Sequence, residues 1–367
     1  MHPTRSRKVD ILSWHRWPVS FWRFRDHAPP TFRPHPLLRS GHLQTLAGVY
    51  FPGVLPAYRA LRHQVTCDDG DRVVLHDDCP EAWSAGGPAA LLMHGLGGSH
   101  QSVYMRRTAG KLRDRGVRVF RMDLRGCGAG VELARLPYHS GRSADAATSL
   151  RFIATLCPGS PVALVGFSLS GNIALKLAGE SAADPPDNLA SVMAVNPPVD
   201  LAACSDWIGR WHNRGYDRYF ADLLRRQIAE RSARAPHAVK IDFSRTPRHL
   251  REIDDWFTAP VCGFGTADNY YRQCSSAPLL PEIRLPTLIV TAADDPLVPL
   301  HSYARLRLSS STTLRIAPHG GHLGFIGARS KSDPDRRWLD WRVVEWVEKS
   351  IRQEGRRHAT RSATAVV

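Results

Sequence analysis

A serine placed to act as a nucleophile stands in the stretch PVALVGFSLSGNIALKL, residues 161 to 177. A β-like apolar run stops at Gly166, Ser168 follows two residues later, and helix formers then take over. At such a strand-to-helix elbow the nucleophile occupies a strained turn. The residues two before and two after it must be small so that strand and helix can approach closely. Gly166 and Ser170 flank Ser168 at those positions. With Ser170 as the nucleophile, the second flank would be Asn172, which is too bulky. The spacing points to Ser168, with Ser170 standing where a glycine is usual and its hydroxyl able to bond locally without strain in the first turn of the helix.

A serine hydroxyl needs a base, an acid to orient that base, and donors for the oxyanion that develops. LIVTAADDPLVP places Asp294 and Asp295 at the end of an apolar run. Asp295 is preferred because the Asp-Pro-x-x-Pro stretch turns the chain there, and Asp294 stays open as the alternative. APHGGHLGF then presents His319 and His322. His322, further into the loop, is the preferred base. In LLMHGLGGSHQS, glycines after an apolar run let backbone N–H groups point inward. The amides of Leu96 and Leu169 are the expected oxyanion donors. His94 in that run reads as a structural hydrogen-bonding residue. No Gly-Lys-Ser/Thr ending and no Gly-x-Gly-x-x-Gly accompany these glycines, which argues against a nucleotide-binding loop. The chemistry so assembled is acyl transfer through a covalent serine ester, and it calls for no metal and no organic cofactor.

Such residues work only if regular elements hold them. HQVTCDDGDRVVLHDDCP reads as a hairpin turning at Asp69-Gly70. Short apolar runs at 88–94, 117–124, 161–167, 189–198, 286–295 and 312–321 read as buried parallel strands. Helical patterns at 102–115, 143–156, 169–180 and 336–352 separate or follow them. This alternation predicts an α/β fold, a mostly parallel central sheet flanked by helices. The long interval between Pro198 and Pro286 is too long for a loop and is expected to carry a helical cap insertion at about 200–280. The domain reading is therefore a basic, aromatic-rich extension at 1–34, one α/β domain at 35–352, and a tail at 353–367 expected to be disordered.

Composition narrows the partners. The chain has 367 residues, is 43% hydrophobic and carries a formal charge of +15. An arginine-rich soluble protein explains that charge, and an anionic partner would exploit it. Zinc-finger, RNP and basic-heptad patterns are missing, so no nucleic-acid partner is expected. Trp14, Trp17, Phe21, Trp22 and Phe24 alternate with arginines near the N-terminus. Read as a helix, Trp14, Trp17, Phe21 and Trp22 fall close to one face, which suits peripheral contact with an anionic membrane. Pro18 interrupts that pattern, and packing of the segment against its own domain is the alternative. No apolar run is long enough to span a bilayer, and no secretory signal pattern is present. Seven cysteines without a Cys-x-x-Cys pair suggest reduced thiols and a cytoplasmic location.

Several stretches together resemble one family. They are SGHLQTL (40–46), MHGLGGS (93–99), DLRGCG (123–128), LPYHSG (136–141), GFSLSGN (166–172), REIDDWFTAPVCGF (251–264), YYRQCSS (270–276), AADDPLVP (292–299) and GGHLGF (320–325). The chain looks like the YheT-like branch of the α/β-hydrolase superfamily, the branch of the ABHD1, ABHD2 and ABHD3 hydrolases. The resemblance implies an α/β-hydrolase fold and Ser168, Asp295 and His322 as the charge-relay set. Ser170 departs from its usual Ser-Leu-Gly-Gly-Asn. An acyltransferase His-x-x-x-x-Asp reading of relatives is not met by His139 and Asp145, whose spacing has one residue too many. Ser143 or Asp145 is instead expected to start a helix, with His139 in a loop, and Cys127 is not expected to be a nucleophile. The function so implied is a serine carboxylic-ester hydrolase acting on short-chain esters or acyl lipids. The alternatives are an alcohol acyltransferase on the same triad and a noncatalytic membrane- or RNA-associated adaptor.

Overall fold

The structure, a computed structural model, describes residues 31–239, 241–242 and 244–364, with side chains followed to residue 353, and a short strand at Arg7–Lys8 that pairs antiparallel with Arg307–Leu308. The aromatic cluster from Trp14 to Phe24 lies outside the described residues.

Eight strands form one sheet. β1 (Leu61–Thr66) and β2 (Arg72–Asp78) are an antiparallel hairpin. Its turn passes through Gly70 at φ +83°, a conformation that favours glycine. Then follow β3 (Ala89–Met93), β4 (Arg118–Asp123), β5 (Val162–Phe167), β6 (Leu189–Val195), β7 (Thr287–Ala292) and β8 (Thr312–Ala317). Their order across the sheet is β8-β7-β6-β5-β3-β4-β2-β1. The six strands from β8 to β4 are mutually parallel, and β2 runs antiparallel to β4. Every residue of β3, β5, β6 and β7 is buried, which is why these strands read as unbroken apolar runs.

Both faces are covered. α1 (Gly41–Tyr50) precedes the sheet and was not anticipated, because its glycines and mixed polarity give no clear helical period. α2 (Val103–Arg113), α3 (Ser143–Leu156) and α4 (Leu169–Glu180) fall where the periodicity places them. Between β6 and β7 the chain builds α5 (Leu201–Ile208), α6 (Arg214–Arg234), α7 (Leu250–Ile253), which runs on through a π-helical turn at Asp254–Thr258, and α8 (Ala267–Cys274). The last helix, α9, spans Trp338–Thr364 and so continues past residue 352, where the pattern had ended it. Leu150 and Ile153 of α3 and Ile173 and Leu177 of α4 enter one half of the core. Met105 and Leu112 of α2 and Val343, Val344 and Val347 of α9 enter the other half. Among the described residues no helix is long and apolar enough to cross a membrane.

β3 lies between β4 and β5, so the winding reverses there. Loops leaving the C-terminal ends of β3 and β5 diverge at such a point and open a crevice.

Candidate active site

The elbow follows β5. Ser168 has φ 52° and ψ −121°, strained for a residue with a side chain, and its amide donates to the Val195 carbonyl at 2.8 Å. A Cβ on Gly166 would sit 2.1 Å from the Ser170 carbonyl oxygen, so only glycine lets the first turn of α4 approach β5 this closely. Gly171 serves the same end from the helix side, where a Cβ would meet the Pro197 ring at 3.0 Å. Ser170 is fully buried, and its hydroxyl donates to the His94 carbonyl at 2.5 Å. The bond is not a local one, because the side chain points across to the end of β3. It ties the elbow to the loop that carries Leu96.

His322 reaches Ser168 from the loop after β8. Its Nε2 lies 2.8 Å from Ser168 Oγ, and its Nδ1 lies 2.8 Å from Asp295 Oδ2. The Asp295 carboxylate follows β7 and is buried. Oδ1 accepts from the Leu297 and Val298 amides at 2.8 and 3.0 Å, and Oδ2 also accepts from Asn196 Nδ2 at 2.6 Å. Three donors besides the imidazole thus hold the acid in one orientation. Asp294 points elsewhere. One oxygen accepts from the Gly321 amide at 2.9 Å, and the other lies 3.4 Å from Nδ1 of the half-exposed His319 without hydrogen-bond geometry. Burial raises the Asp294 pKa above the usual carboxylate value.

The loop after β3 holds the other candidate donor. His94 is fully buried, places Nδ1 2.8 Å from the Gly95 carbonyl oxygen, and accepts at Nε2 from the Leu124 amide. These partners require the Nδ1–H tautomer. Burial lowers the His94 pKa and favours that neutral form. The Gly98 amide donates to the same carbonyl at 3.1 Å. With the Gly95 C=O fixed on one side, the N–H of Leu96 in the same planar peptide points to the other. The neighbouring amides of Gly95 and Gly97 are taken by the hydroxyls of Tyr104 and Tyr138 at 2.8 and 2.9 Å. The amides of Leu96 and Leu169 have no acceptor among the described residues. Leu169 opens α4, whose N-terminal dipole favours negative charge.

Other chemistry-bearing groups are spent on structure. The Asp145 carboxylate accepts a double hydrogen bond from Arg125, both at 2.7 Å, in the first turn of α3, while His139 sits in the preceding loop and accepts from the Gly141 amide. Burial pushes the Cys127 thiol well above its ordinary pKa. His76, His100 and Asp123 lie close enough to suggest metal ligation. Yet Asp123 accepts from both imidazoles at 2.8 Å and from the His100 and Ala129 amides, and Tyr58 bonds the far nitrogen of His76 at 2.6 Å. Burial alone would raise the Asp123 pKa, but the histidine hydrogen bonds outweigh it and hold the carboxyl far below its usual range. The cluster's lone pairs are used in this brace, so its donor set does not fit a cation.

The α/β-hydrolase-fold family model matches residues 88–328. The YheT protein of Escherichia coli K12, which carries the provisional name of an esterase, is 32% identical over 309 residues, 83% of this chain and 89% of its own. The chain belongs to the α/β-hydrolase superfamily, in its YheT/ABHD3-like branch. Human phospholipase ABHD3 is 25% identical over 323 residues, 84% of this chain and 77% of its own. Among solved structures, 2,6-dihydroxy-pseudo-oxynicotine hydrolase aligns with a TM-score of 0.53 at 17% identity, covering 84% of this chain and 72% of its own. That likeness shows the fold.

Within this α/β hydrolase, two supports of the site escaped the sequence reading. Asn196, at φ 46° after β6, bridges Asp295 and the Gly321 carbonyl. α1 grips the histidine loop: Thr45 Oγ1 accepts from the His322 amide at 2.8 Å, and Gln44 bonds both the amide and the carbonyl of Ile326. SGHLQTL was visible as a motif, but nothing local in it reveals a partner more than 270 residues away. A narrow, partly open cleft lies beside Leu96 and Leu169 and is lined on its far side by α6 and the π turn.

Proposed function

We propose that this protein is a serine carboxylic-ester hydrolase. The observation that carries the reading is the unbroken chain from Ser168 Oγ through His322 to Asp295, at 2.8 Å in each step. In this mechanism His322 Nε2 takes the Ser168 proton as Oγ attacks the ester carbonyl, and Asp295 holds the imidazole and stabilises the imidazolium. The tetrahedral oxyanion forms against the amides of Leu96 and Leu169. His322 then protonates the departing alcohol, leaving an acyl-serine. Water, deprotonated by the same imidazole, attacks that ester and releases the carboxylic acid and free Ser168.

Relatives named as an esterase and a phospholipase support carboxylic esters, including acyl lipids, as the substrate class. A fluorophosphonate probe tests the nucleophile directly. It should label the wild-type protein and Ser170→Gly but not Ser168→Ala. Labelling that survives Ser168→Ala and is lost in Ser170→Gly would assign the chemistry to the other serine.

A further inference from the structure

Five arginines are buried among the described residues: Arg107, Arg121, Arg125, Arg231 and Arg342. Four meet carboxylates, namely Asp340, Asp78, Asp145 and Asp333. Arg231 does not. It lies on α6 at 6% exposure and lines the cleft that opens beside Leu96 and Leu169. Its Nη2 donates to the carbonyls of Ala134 and Arg135 at 3.0 and 3.3 Å, while Nε and Nη1 have no partner among the described residues. A buried cation without an anion is costly, so its retention asks for a compensating ligand. The guanidinium itself is accommodated by a glycine. Gly126 takes φ +66°, and a Cβ there would come within 2.6 Å of Arg231 Nε. The cleft has one carboxyl, Asp254, which is beyond ion-pair distance of Arg231 and engaged by the Tyr271 hydroxyl at 2.7 Å.

We infer that Arg231 is the anion subsite of this hydrolase: the preferred ester carries, at the end that reaches along the cleft from the scissile carbonyl, an oxyanion that pairs with the Arg231 guanidinium. The shared chemistry is a carboxylate or a phosphodiester. Arg231 is a specificity residue and takes no part in bond making. The inference rests on the hydrolytic reading only for where the scissile ester lies.

The test compares ester twins of equal length whose far end is a methyl group, a carboxylate or a methyl phosphodiester. Wild-type protein should show higher kcat/KM for at least one anionic twin, and which one identifies the source of the oxyanion. In Arg231→Met the ratio of anionic to neutral kcat/KM should fall by at least about tenfold. Arg231→Lys, which keeps a charge but not the guanidinium fork, should fall less. A ratio unmoved in Arg231→Met overturns the inference. Should that variant fail to fold, dimethyl phosphate and butyrate provide the second measurement. One of them should bind Ser168→Ala protein by calorimetry, and Arg231→Lys in that background should weaken it. Binding unaffected by Arg231→Lys, or no binding of either anion, overturns the inference without any turnover. Esters hydrolysed with no anionic preference sink the subsite and leave the hydrolase. Arg231-dependent anion binding with no ester hydrolysed does the reverse.

Discussion

Two acid–histidine pairs stand side by side after β7 and β8, and they differ in everything except residue type. Asp295 and His322 are both buried, hydrogen-bonded at 2.8 Å, and followed at the same distance by Ser168. Asp294 and His319 lie 3.4 Å apart without hydrogen-bond geometry, and the imidazole is half in solvent. In the proposed mechanism an acid and a base form a relay only where other groups fix their orientation. Asp295 has three such donors, whereas the Asp294 carboxylate has one, from Gly321.

The largest expected effect breaks the first pair and spares the second. His322→Ala should lower ester kcat/KM by about 10⁴- to 10⁶-fold, and Asp295→Asn by about 10⁴-fold, because the imidazole loses its oriented partner. His319→Ala should leave it near wild type. Asp294→Asn should also stay close, since the amide oxygen can still accept from Gly321. Steady-state kinetics on one soluble ester decides. A collapse in Asp294→Asn with activity kept in Asp295→Asn would reverse the assignment.

A smaller effect is expected from the groups that create the contrast. Asn196→Ala removes the donor to Asp295 Oδ2 and the link to Gly321, and Thr45→Val removes the acceptor of the His322 amide. Each should cost about 10- to 100-fold in kcat with the fold retained by circular dichroism. No loss in either would mean that the relay holds itself.

These supports also mark where the sequence stops being readable. The parallel strands are legible because burial on both faces leaves unbroken apolar runs such as 162–167. The elbow is legible because a close strand-to-helix contact demands small residues at set positions. Thr45, Asn196 and Arg231 are not legible in that way. The roles of Thr45 and Asn196 come from partners far along the chain, and Arg231 lies in an arginine-rich insertion where a solvated face is the ordinary explanation. Even Ser170, singled out from the start, bonds to His94 and not within its own turn. Local pattern shows which residue types a turn tolerates, and only the assembled sheet shows what they touch.

Asp254 sharpens the comparison as a buried acid with a tyrosine in place of a histidine. Burial raises its pKa from 3.8 to about 6, with hydrogen bonds from Tyr271 and Thr258 pulling the other way. An acid with a raised folded-state pKa penalises folding once the unfolded chain ionises. Stability is therefore unpenalised below about pH 4, falls as pH rises towards 6, and levels off above that value. The full cost is roughly 3 kcal/mol. Asp254→Asn should thus match wild type near pH 4 and become the more stable protein by pH 8, as measured by denaturant unfolding at both values. A stability gap that stays flat with pH would show that Asp254 is not held in this way.

The smallest expected effect on soluble-ester hydrolysis comes from the N-terminal segment. We propose that the N-terminal arginines and tryptophans contact an anionic membrane surface, where each arginine would contribute roughly 1 kcal/mol and the indoles would settle at the head-group level. Deleting residues 1–30 should weaken co-sedimentation with anionic vesicles, and high salt should reproduce the electrostatic part of that loss. Hydrolysis of a small soluble ester should change little, because Ser168, His322 and Asp295 draw their supports from Thr45, Asn196 and the loops after β7 and β8. The deletion also removes the Arg7–Lys8 strand paired with Arg307–Leu308; if the rest of the segment packs on its own domain as well, the truncation should lower thermal stability and soluble-ester activity together. Vesicle binding unchanged by the deletion rules out the membrane role whatever the activity does. A drop in soluble-ester turnover would show that the relay depends on more than the residues around it.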